Sequence, residues 1–211
     1  MKDLSIVNAV LFVALGLVMM SFGSSAGQDT PKADPVVKMT TTAGDITIEL
    51  NPGKAPETVK NFLWYVDNKF YEGLVFHRVI SNFMIQGGGM TKDMVRKEPK
   101  APIKNESANG LSNLRGTIAM ARTSEPHSAS SQFFINVKDN AGLDKSKSPD
   151  GWGYCVFGNV ISGMDVVDKI RQVPTTSMSG NNDVPVDPIV ITKVVRLTDD
   201  EVKAMKAKKK S

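Results

Sequence analysis

Cysteine is almost absent: Cys155 is the only one in 211 residues. No internal disulfide can form, and no Cys-x-x-Cys metal or redox motif exists. Histidine is nearly as scarce. His77 and His127 are the only two, and no third ligand lies at metal spacing, so a zinc site is not expected. No Gly-x-Ser-x-Gly elbow accompanies the serines near His127, which removes a common hydrolase signature. Gly87, Gly88 and Gly89 are not followed by Lys-Ser/Thr, so they are no P-loop. The apolar run from Ala9 to Met20 has twelve residues, short of the roughly 20 that span a bilayer. The net charge of +4 is small and the lysines collect at one end. A nucleic-acid partner is not expected.

What is present is ordinary for a globular chain. Hydrophobic residues make up 41% and charged residues 23%, and the length suits one domain with short extensions. Residues 1–26 read as a signal peptide: Lys2 and the free amine, then the apolar run, then Ser24-Ser25-Ala26 as a small-residue cleavage site before Gly27. A periplasmic or secreted protein is expected, the alternative being an uncleaved anchor in the inner membrane. Residues 27–35 are polar, hold two prolines and read as a linker. The folded domain is expected over 36–197, and 198–211 is a lysine-rich tail. In that tail Thr198 and Glu201 have capping-box spacing, which predicts a short exposed helix or a frayed end.

Within the domain, Ile46, Ile48 and Leu50 alternate with Asp45, Thr47 and Glu49, as in a half-buried strand. Pro56 opens a helical pattern through Val59, Phe62, Leu63, Val66 and Phe70. Further strands are predicted at 75–80, 83–86, 116–121, 132–137, 154–160 and 189–197, and a second helix at 164–171. Residues 91–115 lack periodicity and form a long surface loop. Many short strands with two helices indicate a mainly β sandwich or barrel with helical caps.

Two stretches bear on chemistry. In Gln132-Phe133-Phe134-Ile135-Asn136-Val137, alternation puts Phe133, Ile135 and Val137 on one face and Phe134 between two amides on the other. Phe134 is either buried under a loop or faces a ligand. By the same rule Cys155 and Phe157 point one way and Tyr154 and Val156 the other, which makes Cys155 a core thiol. Arg78 sits among apolar residues, either on a solvated face or at the edge of an apolar pocket. Gln86 could orient it, and the glycines at 87–89 allow close backbone approach or positive φ. Asn105-Glu106-Ser107 is a formal glycosylation sequon.

The segments Phe76-His77-Arg78, Phe83-Met84-Ile85-Gln86-Gly87-Gly88, Gly116-Thr117-Ile118-Ala119-Met120-Ala121, Ser131-Gln132-Phe133-Phe134-Ile135 and Val156-Phe157-Gly158 together resemble the cyclophilin-type peptidyl-prolyl isomerases. The likeness runs over about 36–197. Ala121-Arg122-Thr123 and Gly151-Trp152-Gly153-Tyr154-Cys155 are similar to the bacterial, periplasmic branch. The resemblance implies a closed eight-stranded antiparallel barrel capped by two α-helices, with the site on its outer face. It implies Arg78 as the catalytic residue, with Gln86 supporting it. Phe83, Met84, Phe134 and Leu143 would form the proline pocket. Ala121, Arg122 and Gln132 would hold substrate backbone, largely through main-chain groups, with His77 at the rim. Gly142 stands where cyclosporin-sensitive members carry tryptophan, and Tyr154 where many carry histidine.

The activity so implied is isomerisation of X–Pro bonds in unfolded or partly folded polypeptides by a monomer. It needs no nucleophile, metal or cofactor. Two other readings fit the same residues: a peptide-binding chaperone that does not turn over, and a membrane-tethered adaptor acting through the lysine tail.

Overall fold

The structure is a computed structural model and describes residues 33–208. The signal-peptide reading, most of the linker and the last lysines lie outside the described residues. The chain runs β1 (Val36–Thr41), β2 (Gly44–Leu50), α1 (Pro56–Asp67), β3 (Leu74–Ile80), β4 (Met84–Thr91), β5 (Thr117–Met120), β6 (Phe133–Asn136), β7 (Val156–Ser162), α2 (Met164–Ile170), β8 (Thr175–Met178), β9 (Asn181–Pro185), β10 (Ile191–Arg196) and α3 (Asp199–Lys208).

Eight strands form one antiparallel sheet in the order β10-β1-β2-β7-β5-β6-β4-β3. The two ends of that order nearly meet. Val75 in β3 bridges Val190, and Phe76 N–H donates to Ile189 C=O at 3.0 Å. A sheet curled on itself leaves few open edges. The result is the nearly closed eight-stranded barrel that the resemblance implies.

The alternating residues fill it. Val37, Met39, Ile46, Ile48, Leu50, Ile118, Phe133, Ile135 and Phe157 all belong to one apolar core. Helix α1 starts with proline, whose missing N–H costs nothing there, and sends Val59, Phe62, Leu63 and Val66 into the same core. Phe62 lies 5.2–5.8 Å, centroid to centroid, from Tyr71, Phe133 and Phe157. Val166, Val167 and Ile170 of α2 complete it. Cys155 is buried there too, at 3% exposure.

The long loop is pinned rather than loose. Glu106 reaches the N-terminus of α1, where its carboxylate accepts from Thr58 N–H (2.8 Å), Thr58 Oγ1–H (2.7 Å) and Glu57 N–H (3.2 Å). An anion there suits the helix dipole. Within the same loop the sequon is closed off. Asn105 Oδ1 accepts from Ser107 N–H (2.9 Å), and the buried Ser107 hydroxyl donates to Trp152 C=O.

The tail takes the helical form that its capping-box spacing predicts, and one hairpin goes beyond the predicted set. The tail forms α3, a third helix, and its capping box is made: Glu201 N–H donates to Thr198 Oγ1 (3.3 Å) and Thr198 N–H to Glu201 Oε2 (2.8 Å). Lys206 pairs with Glu49 of β2 at 3.2 Å. The hairpin β8–β9 was not predicted. It turns on Ser179 and Gly180, both at positive φ (50° and 77°), and a turn of that hand matches the twist of the flanking strands. Among the described residues, no helix is long and apolar enough to cross a membrane.

Candidate active site

A cavity of about 500 Å³ opens on the outside of the barrel, within the range typical of ligand sites. His77, Arg78, Phe83, Met84, Gln86, Ala121, Arg122, Gln132, Phe134, Leu143 and Tyr154 all line it. The structure therefore brings every candidate residue to one place. It adds Met90 and the hairpin residues Gly180, Asn181, Asn182 and Asp183.

The apolar wall is a second, smaller cluster distinct from the barrel interior. Met84, Ala119, Phe134 and Val156 form its buried part, with Phe83, Leu143 and Tyr154 packed against them. It exists because β4, β5, β6 and β7 are apolar on both faces. Phe133 and Ile135 point into the barrel while Phe134 points out, beside Ala119 and Gln86 in register. The expected alternation thus holds for Phe134. Asn136 keeps the same parity, opposite Met84 in register, but does not line the cavity. That amide is fully buried, and its N–H groups donate to Thr117 Oγ1 (2.9 Å) and Asn113 Oδ1 (3.2 Å). Its carbonyl accepts from Asn140 (2.7 Å), which also donates to Phe83 C=O (2.7 Å). Asp144 Oδ1 accepts from Asn113 N–H at 2.7 Å, and Tyr154 N–H donates to Leu143 C=O at 2.9 Å. A buried amide must be bonded, and here the bonds brace the backbone behind Phe83, Leu143 and Tyr154.

Arg78 reaches the cavity through broken pleating. Phe76 pairs with Gly87 but Arg78 with Gln86, so β3 gains a residue at His77. Such a bulge re-aims side chains. Phe76 and Val79 can then both face the core while Arg78 faces out, half exposed at 44%. On β4 the glycines make room. Gly88 sits at φ +84°, and a Cβ there would come within 2.9 Å of the Phe133 ring. A Cβ on Gly89 would overlap the Gln132 side chain at 2.5 Å. Gln132 therefore lies across bare backbone, where its Oε1 accepts from Gln86 Nε2 at 2.9 Å. Gln86 stands opposite Arg78, but its amide N–H is given to Gln132. The ionic partner of Arg78 is Asp183, with Nε 3.6 Å from Oδ2.

Arg122 behaves differently from Arg78. Its side chain is 3% exposed. It donates to Gly153 C=O (3.0 Å), Thr123 C=O (2.9 Å) and Asp150, and stacks 4.5 Å over the Tyr154 ring. Ser148 and then Arg122 hold the Asp150 carboxyl well below the usual range. Tyr154 meets Phe134 edge-on at 5.7 Å. Arg122 is thus a strut for the aromatic wall. The Ala121 N–H is spent as well, on Gln132 C=O at 3.0 Å.

His77 was expected at the rim but is buried, at 6% exposure. Its Nδ1 is the one buried side-chain nitrogen or oxygen among the described residues without a hydrogen-bond partner. Burial, with the Arg78 charge adding, pulls it down to about 4; the Val75 backbone and the Gln132 side chain oppose this. A buried neutral histidine binds its proton more weakly than the unfolded chain does. Its share of stability is therefore present above about pH 6.5 and lost as pH falls from there toward 4. A drop of about 2.5 pH units corresponds to up to about 3 kcal/mol. His77→Gln should flatten this acid limb in urea unfolding between about pH 7 and 4. An unchanged slope would mean that the imidazole is protonated in the native state.

A family model for cyclophilin type peptidyl-prolyl cis-trans isomerases matches residues 36–196. Among curated proteins, the peptidyl-prolyl cis-trans isomerase cyp18 of Streptomyces antibioticus is 60% identical over 156 residues, 74% of this chain and 94% of that protein. Peptidyl-prolyl cis-trans isomerase B of Escherichia coli strain K12 is 56% identical over 160 residues, 75% of this chain and 98% of that protein. A crystal structure of a cyclophilin type isomerase from Cryptosporidium parvum superposes with a TM-score of 0.68 at 26% identity, covering 79% of this chain and 99% of that one. The barrel, the outer cavity and these matches agree: the chain belongs to the cyclophilin-type peptidyl-prolyl cis-trans isomerases and acts on proline-containing polypeptides.

Proposed function

We propose that Arg78 drives this isomerisation by binding the twisted amide better than either planar form. The observation that carries the reading is a half-exposed guanidinium at the edge of an apolar cavity walled by Phe83, Met84, Phe134 and Leu143. The rotation barrier is about 18–20 kcal/mol because turning breaks C–N conjugation. In the twisted state the proline nitrogen regains a lone pair. A guanidinium N–H aimed at it makes a bond that the planar ground states cannot make, and such a difference is what lowers a barrier. The apolar wall would hold the proline ring while the preceding carbonyl turns. Main-chain groups near Ala121 and the Gln132 amide would hold the flanking backbone. Arg122 would act through Tyr154 and not by touching substrate.

Replacing Arg78 should cut turnover by about two to three decades, the loss of roughly 3–4 kcal/mol of transition-state binding, with peptide affinity changed far less. Arg78→Lys should also fail, since a flexible point charge cannot copy the oriented fork. The rate should be flat from about pH 6 to 8, because the guanidinium stays charged and His77 neutral there. Turnover and peptide affinity for wild type and both variants across that range are the test. Full activity in Arg78→Ala would remove Arg78 from the mechanism and leave the rate to other groups of the cavity. A bell-shaped pH profile would point to proton transfer instead.

Gly142 leaves one side of the wall open: no atom lies within 4 Å of where its Cβ would be. Cyclosporin should therefore bind weakly, by about 2–4 kcal/mol relative to members with tryptophan there. Gly142→Trp should tighten it, since a Cβ there meets no atom within 4 Å. Nanomolar inhibition of the unmodified protein would refute this account.

We further propose that the protein acts as a monomer on unfolded or partly folded clients, outside the cytoplasm, after cleavage at Ala26–Gly27. The apolar run and small-residue site support export, and the family match begins only at residue 36. N-terminal sequencing of exported protein should give Gly27 first. Full-length chain held in the inner membrane would favour an anchor.

A further inference from the structure

We infer that Asp183 is a positioning residue for Arg78, presented to it by an irregularity in the β8–β9 hairpin; the inference rests on the reading of Arg78 as the catalytic group. The hairpin register pairs Thr176 with Val184 and Met178 with Asn181, so Ser177 faces two residues, Asn182 and Asp183. Asp183 stands in this bulge at φ +61°, in the left-handed region. A bulge bends a strand and turns a side chain out of its alternation. Aspartate accepts a left-handed backbone better than most residues, so a carboxylate can be held there. Val184, next to it, is 2% exposed and roots the hairpin. The carboxylate of Asp183 then lies 3.6 Å from Arg78 Nε, with both side chains about two-fifths exposed (44% and 40%).

The geometry decides what this contact does. Among the described residues, Asp183 is the only carboxylate lining the cavity. It takes the Nε side of the guanidinium. Its closest approach is to Nε, and among the described residues the terminal N–H groups of Arg78 donate no hydrogen bond. Arginine is a planar fork on a flexible stem, so fixing Nε fixes the plane in which the terminal N–H groups lie. The cavity's other arginine shows the contrast. Arg122 is bonded at Nε and at both terminal nitrogens and its side chain is 3% exposed, so it is held within the wall. Asp183 orients Arg78 without using it up. Two bulges, one at His77 and one at Asn182–Asp183, thus aim an arginine and its carboxylate at each other across the cavity mouth.

The test is a double-mutant cycle on the full-length protein: wild type, Asp183→Asn, Arg78→Ala and both together, with kcat and KM on a short X–Pro peptide. Asparagine keeps the shape and tolerates the backbone. Asp183→Asn should lower kcat by about three- to tenfold, the scale of a modest misplacement of a catalytic group, with KM changed less than about twofold. In the Arg78→Ala background the same change should have no further effect on residual turnover. Raising salt should slow the wild type toward Asp183→Asn and leave that variant nearly unaffected, because an exposed pair is screened. Thermal unfolding of each variant checks that the hairpin persists. Equal losses in both backgrounds, a pure rise in KM, or no loss at all while Arg78→Ala is impaired would overturn the role of Asp183 alone. Wild-type turnover in Arg78→Ala would overturn the reading of Arg78 and this inference with it.

Discussion

The interior of this barrel is full, and the position of everything else follows from that. Phe62, Phe76, Phe133 and Phe157 are completely buried and share one core with aliphatic residues of seven strands. Interiors packed to this density admit no peptide. A ligand must use the outer wall, where a regular strand would offer a flat row of alternating side chains. The wall becomes concave only where regularity fails. The extra residue at His77 and the bulged hairpin are such failures and border one cavity, and the bare backbone at Gly89 seats the Gln132 side chain that lines it.

The same constraint sorts the charges. Two arginines and one carboxylate line a cavity whose back is apolar. Arg122 is desolvated, so it needs partners, and each of its three nitrogens has one, in two carbonyls and Asp150. It serves the wall through its stack on Tyr154. Arg78 stays half in water and needs no such saturation. Burial holds His77 neutral beside it, so a second positive charge does not compete with the guanidinium. Under the proposed mechanism this is the useful division: one cation spent on structure, one left with donors to give.

Much of this was legible in the sequence wherever period-2 alternation survived. Phe133 against Phe134 and Cys155 against Val156 divided the inner core from the outer wall by parity alone, and the structure keeps that division. The Thr198–Glu201 spacing gave the tail helix its cap. The eleven candidate residues converge because the family segments carry them together. Parity failed at bulges. Nothing in the letters at 76–79 says that Phe76 and Val79 share a face. Asn136 shares the outward parity of Phe134, but its burial among Asn113, Thr117 and Asn140 was not visible as a network. The hairpin carried only a faint signal, Ser179-Gly180 between polar residues. Its strand β8 is exposed throughout, so no hydrophobic pattern marked it, and with it Asp183 was missed.

Rigidity and openness are distributed unevenly around the cavity, in a way that suits a bond that must rotate. Asn113, Asn136, Asn140 and Asp144 are all less than 10% exposed and tie Phe83 and the turn at Leu143 to the sheet. Breaking such a network would leave buried groups unpaired at about 1–3 kcal/mol each, so that side of the wall cannot give. Opposite demands fall on the mouth. There Gly142 leaves space beside Leu143, the hairpin tip is exposed, and the Arg78–Asp183 pair is half solvated. Under the proposed mechanism, a proline ring held against the braced side would be fixed, and the chain before it would meet no closed surface and be free to turn. A cavity closed on every side would bind the planar substrate more tightly and gain nothing in rate, since only what favours the twisted state accelerates the reaction.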